Sequence, residues 1–157
     1  MANLRLMIDE DYWSLAPYLD RVCKKIRAVT SETCGCPSGT PDSKLVDATT
    51  TKNRILVTLD DSSIKRRDYP PCTHGGIIFI QSKNLREAAI KETFRRFCLS
   101  DETDHVIGHL TYLYRDHAII FTHKEKITIR WYVSNKRRKY TTQSEPRGKT
   151  DPMILGN

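Results

Sequence analysis

Leu4-Arg5-Leu6-Met7-Ile8-Asp9-Glu10-Asp11 and Arg54-Ile55-Leu56-Val57-Thr58-Leu59-Asp60-Asp61 share one pattern, a short apolar run that stops abruptly at acids. Runs this short and this apolar suit strands covered on both faces, and the acids mark carboxyl ends that open into polar loops. Between them, Trp13, Leu15, Ala16, Leu19, Val22, Cys23 and Ile26 recur at three- and four-residue spacing, which predicts a helix over residues 12–25. Residues 26–29 read as a weak second strand, and 30–41, rich in Thr, Ser, Gly, Pro and Cys, as a loop. Thr40-Pro41 has the form of an N-cap and a first-turn proline, starting a helix that runs to about residue 52 with Asp42 in its first turn.

Further along, 62–74 reads as a long loop and 75–81 as a solidly apolar fourth strand. Asn84-x-x-Glu87 has capping-box spacing and opens a helix to about residue 98, with Leu85, Ala89, Ile90, Phe94 and Phe97 facing inward. Val106, Leu110 and Leu113 predict a shorter helix after Ser100. Residues 117–122 and 126–133 read as two strands joined by a charged turn, the second alternating Ile127, Ile129, Trp131 and Val133 against polar positions. Strands alternating with helices predict an α/β fold: a mostly parallel sheet with right-handed crossovers, ending in an antiparallel hairpin.

A chain of 157 residues with 38% hydrophobic and 29% charged side chains suits a single domain with one core. The apolar run Gly76-Ile77-Ile78-Phe79-Ile80 is far shorter than the roughly 20 residues of a membrane-spanning helix, so no membrane partner is expected. The N-terminus reaches acids before a secretory signal could develop, which predicts a cytoplasmic protein. Cys23 and Cys98 fall on apolar helix faces within an odd count of 5 cysteines, so reduced thiols are expected rather than a disulfide framework. Of the formal net charge of +7, the segment 134–157 carries six basic residues against two acids, a local +4. The reading is a domain over 1–133 followed by a basic, flexible tail over 134–157.

In open α/β sheets, ligands bind beyond the carboxyl ends of the strands. Asp9, Glu10, Asp60 and Asp61 all fall there, and Asp42 starts the helix that leads into the third strand. Carboxylates that converge repel one another unless they bind a proton or a cation. Hard oxygen donors of this kind suit Mg²⁺ or Mn²⁺.

Taken in order, Leu-Met-Ile-Asp-Glu-Asp, Pro-Asp-Ser-Lys-Leu-Val-Asp-Ala before Arg-Ile-Leu-Val-Thr-Leu-Asp, His-Gly-Gly-Ile-Ile-Phe-Ile and the closing Ile-Thr-Ile-Arg resemble the PIN-like branch of toxin-type ribonucleases over roughly residues 4–133. The resemblance implies a PIN-like three-layer sandwich and an endoribonuclease that uses Mg²⁺ or Mn²⁺, often as the toxin of a toxin–antitoxin pair. Position by position, it implies catalytic roles for Asp9, Asp42 and Asp60, with Glu10 and Asp61 as further metal ligands. RNA is the implied substrate, and an antitoxin protein and a second copy of the chain are the protein partners it admits. Where the family carries a further Asp followed by Phe, this chain has Ser62-Ser63, with Asp61 displaced by one residue. A catalytically inactive PIN-like module that binds nucleic acid or protein is the reading this departure supports.

RNA also needs positive charge around an acidic pocket. Arg66 and Arg67, Arg95 and Arg96, and Lys136, Arg137, Arg138 and Lys139 beside Tyr140 are the candidates, the last run adding an aromatic ring for stacking. Cys34, Cys36, Cys72 and His74 form an allowed tetrahedral Zn²⁺ set, though Cys-x-Cys is not the usual spacing. His105 and His109, four residues apart, are assigned no role. The rival from another class is a receiver-type phosphoacceptor module, with Asp60 as acceptor and Ser82 and Lys124 in the supporting positions. Such a module has no use for Asp42.

Overall fold

Strand β1 (Leu4–Ile8) is buried at Leu4, Leu6, Met7 and Ile8, so both of its faces need cover, and this places it inside the sheet. In the computed structural model, which describes residues 3–59, 66–81, 85–131 and the backbone of 140–146, that cover comes from two layers of helix. α1 (Leu15–Val22) leads to β2 (Ile26–Thr30), α2 (Asp42–Thr51) to β3 (Ile55–Leu59), and β4 (Ile77–Ile80) is followed by α3 (Glu87–Cys98). The remaining strands are β5 (Leu110–Leu113), β6 (His117–Phe121), β7 (Glu125–Trp131) and β8 (Tyr140–Pro146). The sheet order is β2-β1-β3-β4-β5-β6-β7-β8. Strands β2 through β5 pair in parallel, and the pairings from β5 to β8 are antiparallel.

Alternation along the strands sorts the core into two. Leu6 and Ile8, Ile55 and Val57, and Ile78 and Ile80 face α1 and α3, where Leu15, Leu19, Ile90, Phe94, Phe97 and Trp131 close the larger cluster. Met7, Leu56, Ile77 and Phe79 face the other way, against Leu45 and Val46 of α2. Cys23 and Cys98 are buried in the larger cluster as free thiols, as their places on apolar helix faces predict. The result is three layers, α/β/α.

Two expectations change. The helix predicted around Val106, Leu110 and Leu113 is instead a 3-10 turn, Thr103–Val106, followed by β5. The helical path ends at Ile107, which is already extended, and Gly108 follows at φ +74, a left-handed conformation that suits glycine. The sheet thereby gains a fifth parallel strand, and the expected hairpin is the start of a longer antiparallel extension. It continues into the segment read as a tail, since β8 pairs with β7 from Glu125↔Pro146 to Trp131↔Tyr140.

The uniform crossover hand also fails. The chain steps from β1 outward to β2 through α1, then back past β1 to β3 through α2 on the opposite face, so these two crossovers share a hand. The step from β4 to β5 moves in that second direction but carries α3 on the face of α1, which gives it the opposite hand. Phe94 and Phe97 of α3 complete the core formed with α1 and Trp131. The second face is closed by Tyr69, from the β3–β4 connection, packed against α2's cluster.

Candidate metal centre at the carboxyl end of the sheet

β1 and β3 are parallel neighbours, with Ile8 opposite Val57, so the residues just beyond them emerge side by side. Asp9 is pinned there. Its amide donates to the Val57 carbonyl at 3.0 Å. Its Oδ2 accepts from the Thr58 hydroxyl at 2.7 Å and its Oδ1 from the Glu10 amide at 2.7 Å, which caps the 3-10 turn Glu10–Tyr12. A carboxylate oxygen has two lone-pair positions, so these bonds fix the group's direction and leave each oxygen capacity for a cation.

Glu10 turns toward the loop before α2. It accepts from the Ser38 hydroxyl and, at 3.2 Å, from the Gly39 amide. That loop is closed by Thr40, whose hydroxyl donates to the Pro37 carbonyl at 2.6 Å. Pro41, rather than Thr40, occupies the N-cap, so Asp42 is the first residue of α2. The clamp on Glu10 thus holds the start of α2 beside the end of β1. Asp42 faces the β3–β4 connection: burial raises the Tyr69 phenol above its usual range, and the charges of Asp42, Asp68 and Asp47 raise it further.

Asp60 and Asp61, which follow directly on β3, lie outside the described residues, as does Ser62. Among the described residues, Asp9, Glu10 and Asp42 do not bring three ligand atoms into one cation-sized group. The carboxylates at this end are hard oxygen donors, which suit Mg²⁺ or Mn²⁺.

The expected basic surface is partly committed elsewhere. Arg95 bonds Glu92 at 2.7 Å and Arg96 bonds it at 3.0 Å, both within α3. The hydrogen bond from Arg95, reinforced by Arg96, holds the Glu92 carboxyl down from 4.5 to about 2. A carboxyl lowered on folding adds stability that is complete above its unfolded value and is lost as pH falls through its folded one. Glu92→Gln is therefore expected to flatten the loss of stability on acidification from pH 4.5 to about 2, read by urea unfolding at a series of pH values. An unchanged acid limb would contradict the pairing. Arg67 is highly exposed and lies 3.8 Å from Asp68, a weak surface pair that leaves it available to an anion. Arg66 begins the same short turn, and Lys136, Arg137, Arg138 and Lys139 lie outside the described residues.

The expected zinc set does not assemble. His74 is buried with both ring nitrogens engaged, Nδ1 accepting from the Gly76 amide at 3.0 Å and Nε2 at 3.2 Å from the Tyr69 carbonyl. Cys72 instead meets His109 and His123. Sequence reading weighed His109 only against His105 and left His123 aside, because Cys72, His109 and His123 come from distant segments and share no short spacing. The available signal was the backbone punctuation around Gly75, Gly76 and Gly108.

Comparison with protein-family models, with curated proteins and with solved structures found no match to this chain. No helix among the described residues is long and apolar enough to cross a membrane.

Proposed function

We propose that the chain is a divalent-metal-dependent endoribonuclease of the PIN-like type, acting in the cytoplasm as the toxin of a toxin–antitoxin pair. The observation that carries this reading is the Asp9 carboxylate, fixed by Thr58 between the ends of two adjacent parallel strands. Asp9 and Asp60 would be the direct ligands of a Mg²⁺ or Mn²⁺ ion, and Asp42 would orient the attacking water or hold a second ion. Glu10 keeps the start of α2 in place through Ser38 and Gly39. A bound ion would activate water for attack on phosphorus and offset the charge of the leaving oxygen. Arg67 then serves the RNA backbone.

One observation favours the receiver reading. The parallel strands run in the order β2-β1-β3-β4-β5, the arrangement of flavodoxin-like domains. Lys124, however, lies in the turn after β6, whose Phe121 pairs with Leu110 at the start of β5, so it is at the far end of the sheet from Asp9. A phosphoacceptor site would lack its lysine.

The test is cleavage of end-labelled single-stranded RNA by the full chain with Mn²⁺, and again after chelation. Fragments that need the metal are expected, with no labelling of the protein by acetyl phosphate. Metal-independent cleavage, or acetyl-phosphate labelling at Asp60, would sink the assignment.

A further inference from the structure

Cys72, His109 and His123 place one ligand atom each within 4.8 Å of one another, at the end of the sheet opposite Asp9. The geometry points to a zinc-class metal site built from Cys72 Sγ, His109 Nε2 and a ring nitrogen of His123, with a fourth coordination position open to solvent. This goes beyond the nuclease reading, which uses none of the three.

His109 is prepared for the role. Its Nδ1 lies 2.8 Å from the His105 carbonyl. A carbonyl only accepts, so Nδ1 carries the proton and Nε2 of the neutral ring presents a lone pair. That Nε2 is buried and has no hydrogen-bond partner. A buried nitrogen with an unused lone pair, beside a thiol and a second imidazole, is what a metal would satisfy. The His109 and His123 rings are stacked with planes 18° apart.

The three ligands also sit on backbone that is tied together. The Cys72 amide donates to the Gly108 carbonyl at 2.7 Å, the Gly108 amide to Gly75 at 2.9 Å, and the Ile77 amide to the His109 carbonyl at 3.0 Å. A Cβ on Gly76 would stand 2.5 Å from the Val106 carbonyl oxygen, so the two segments approach as closely as glycine allows. Cys72 itself adopts φ +65, a conformation in which a non-glycine side chain is uncommon. His123 occupies the β6–β7 turn, which Thr122 Oγ1 fixes by accepting from the Lys124 and Glu125 amides at 3.3 and 3.0 Å.

Tetrahedral zinc with thiolate and imidazole ligands separates donor atoms by about 3.3–3.6 Å, so closing onto one ion needs at most roughly 1.5 Å of movement. Rotation of the exposed Cys72 and His123 side chains supplies it. Thiolate and imidazole without a carboxylate select zinc over Mg²⁺. The ion would clip the start of β4 and β5 to the antiparallel extension.

The test is titration of the full chain with Co²⁺ as a spectroscopic probe, followed by competition with Zn²⁺. A thiolate-to-cobalt charge-transfer band in the near ultraviolet is expected to grow to saturation with one equivalent at this site, a signal that oxygen-only sites do not give. Cys72→Ser should abolish the band. His123→Ala, at an exposed turn that tolerates the change, should weaken Zn²⁺ binding at least about tenfold, the lower end of what losing even an outer-sphere partner costs. A variant carrying Cys34→Ser with Cys36→Ser should keep both signals. Persistence of the band in Cys72→Ser, or unchanged Zn²⁺ affinity in His123→Ala, would overturn the site.

Discussion

Phe97→Ala is expected to cost about 3–5 kcal/mol of folding stability, a large part of the roughly 5–15 kcal/mol that holds a domain of this size together. Phe97 is fully buried, packs edge-on to Phe94 with ring centroids 6.1 Å apart, and lies 6.4 Å from the Trp131 ring. It therefore joins α3 to the antiparallel part of the sheet. Trp131 cannot swing into the space, because its Nε1 donates to the Arg115 carbonyl at 2.8 Å and its amide to the Asp116 carbonyl at 3.0 Å. With the neighbours held, the cavity stays open and the cost falls at the upper end. Urea unfolding of the variant measures it, and a loss below about 1 kcal/mol would mean that α3 does not close this core.

Asp9→Asn is expected to lower RNA cleavage at least about 100-fold, the scale on which single charge-stabilising groups act. The fold should survive. Asn keeps an oxygen that can accept from Thr58 or from the Glu10 amide, so the stability change should stay within about 1 kcal/mol. Single-turnover cleavage beside urea unfolding separates the two effects. A variant that unfolds would show that Asp9 serves the strand ends, and one that cleaves normally would show that the metal lies elsewhere.

The parallel half of the fold was legible wherever burial on both faces forces an unbroken apolar run, as in Ile77-Ile78-Phe79-Ile80, or where a wide stripe recurs, as in α3. β5 was not. Leu110-Thr111-Tyr112-Leu113 is too short for its period to be read, and Val106 completed a false helical spacing. The placement of α3 on α1's face was also hidden, since periodicity says which side of a helix is apolar and nothing about which face of the sheet receives it. Asp9 and Asp42 were legible because acids that end a strand or begin a helix need only local sequence. The grouping of His109 with Cys72 and His123 was hidden for the opposite reason: only the folded chain brings the three near. Arg95 and Arg96 looked like a basic surface until Glu92, one turn back, claimed both.

If a hard cation is held at the carboxyl ends of β1 and β3, Mn²⁺ binding followed by the loss of its free-ion paramagnetic resonance signal tests this without any substrate. The full chain should take up Mn²⁺, His109→Asn should take it up equally, and Asp9→Asn should leave the ion in solution. Uptake by Asp9→Asn matching that of the unaltered chain would contradict the account.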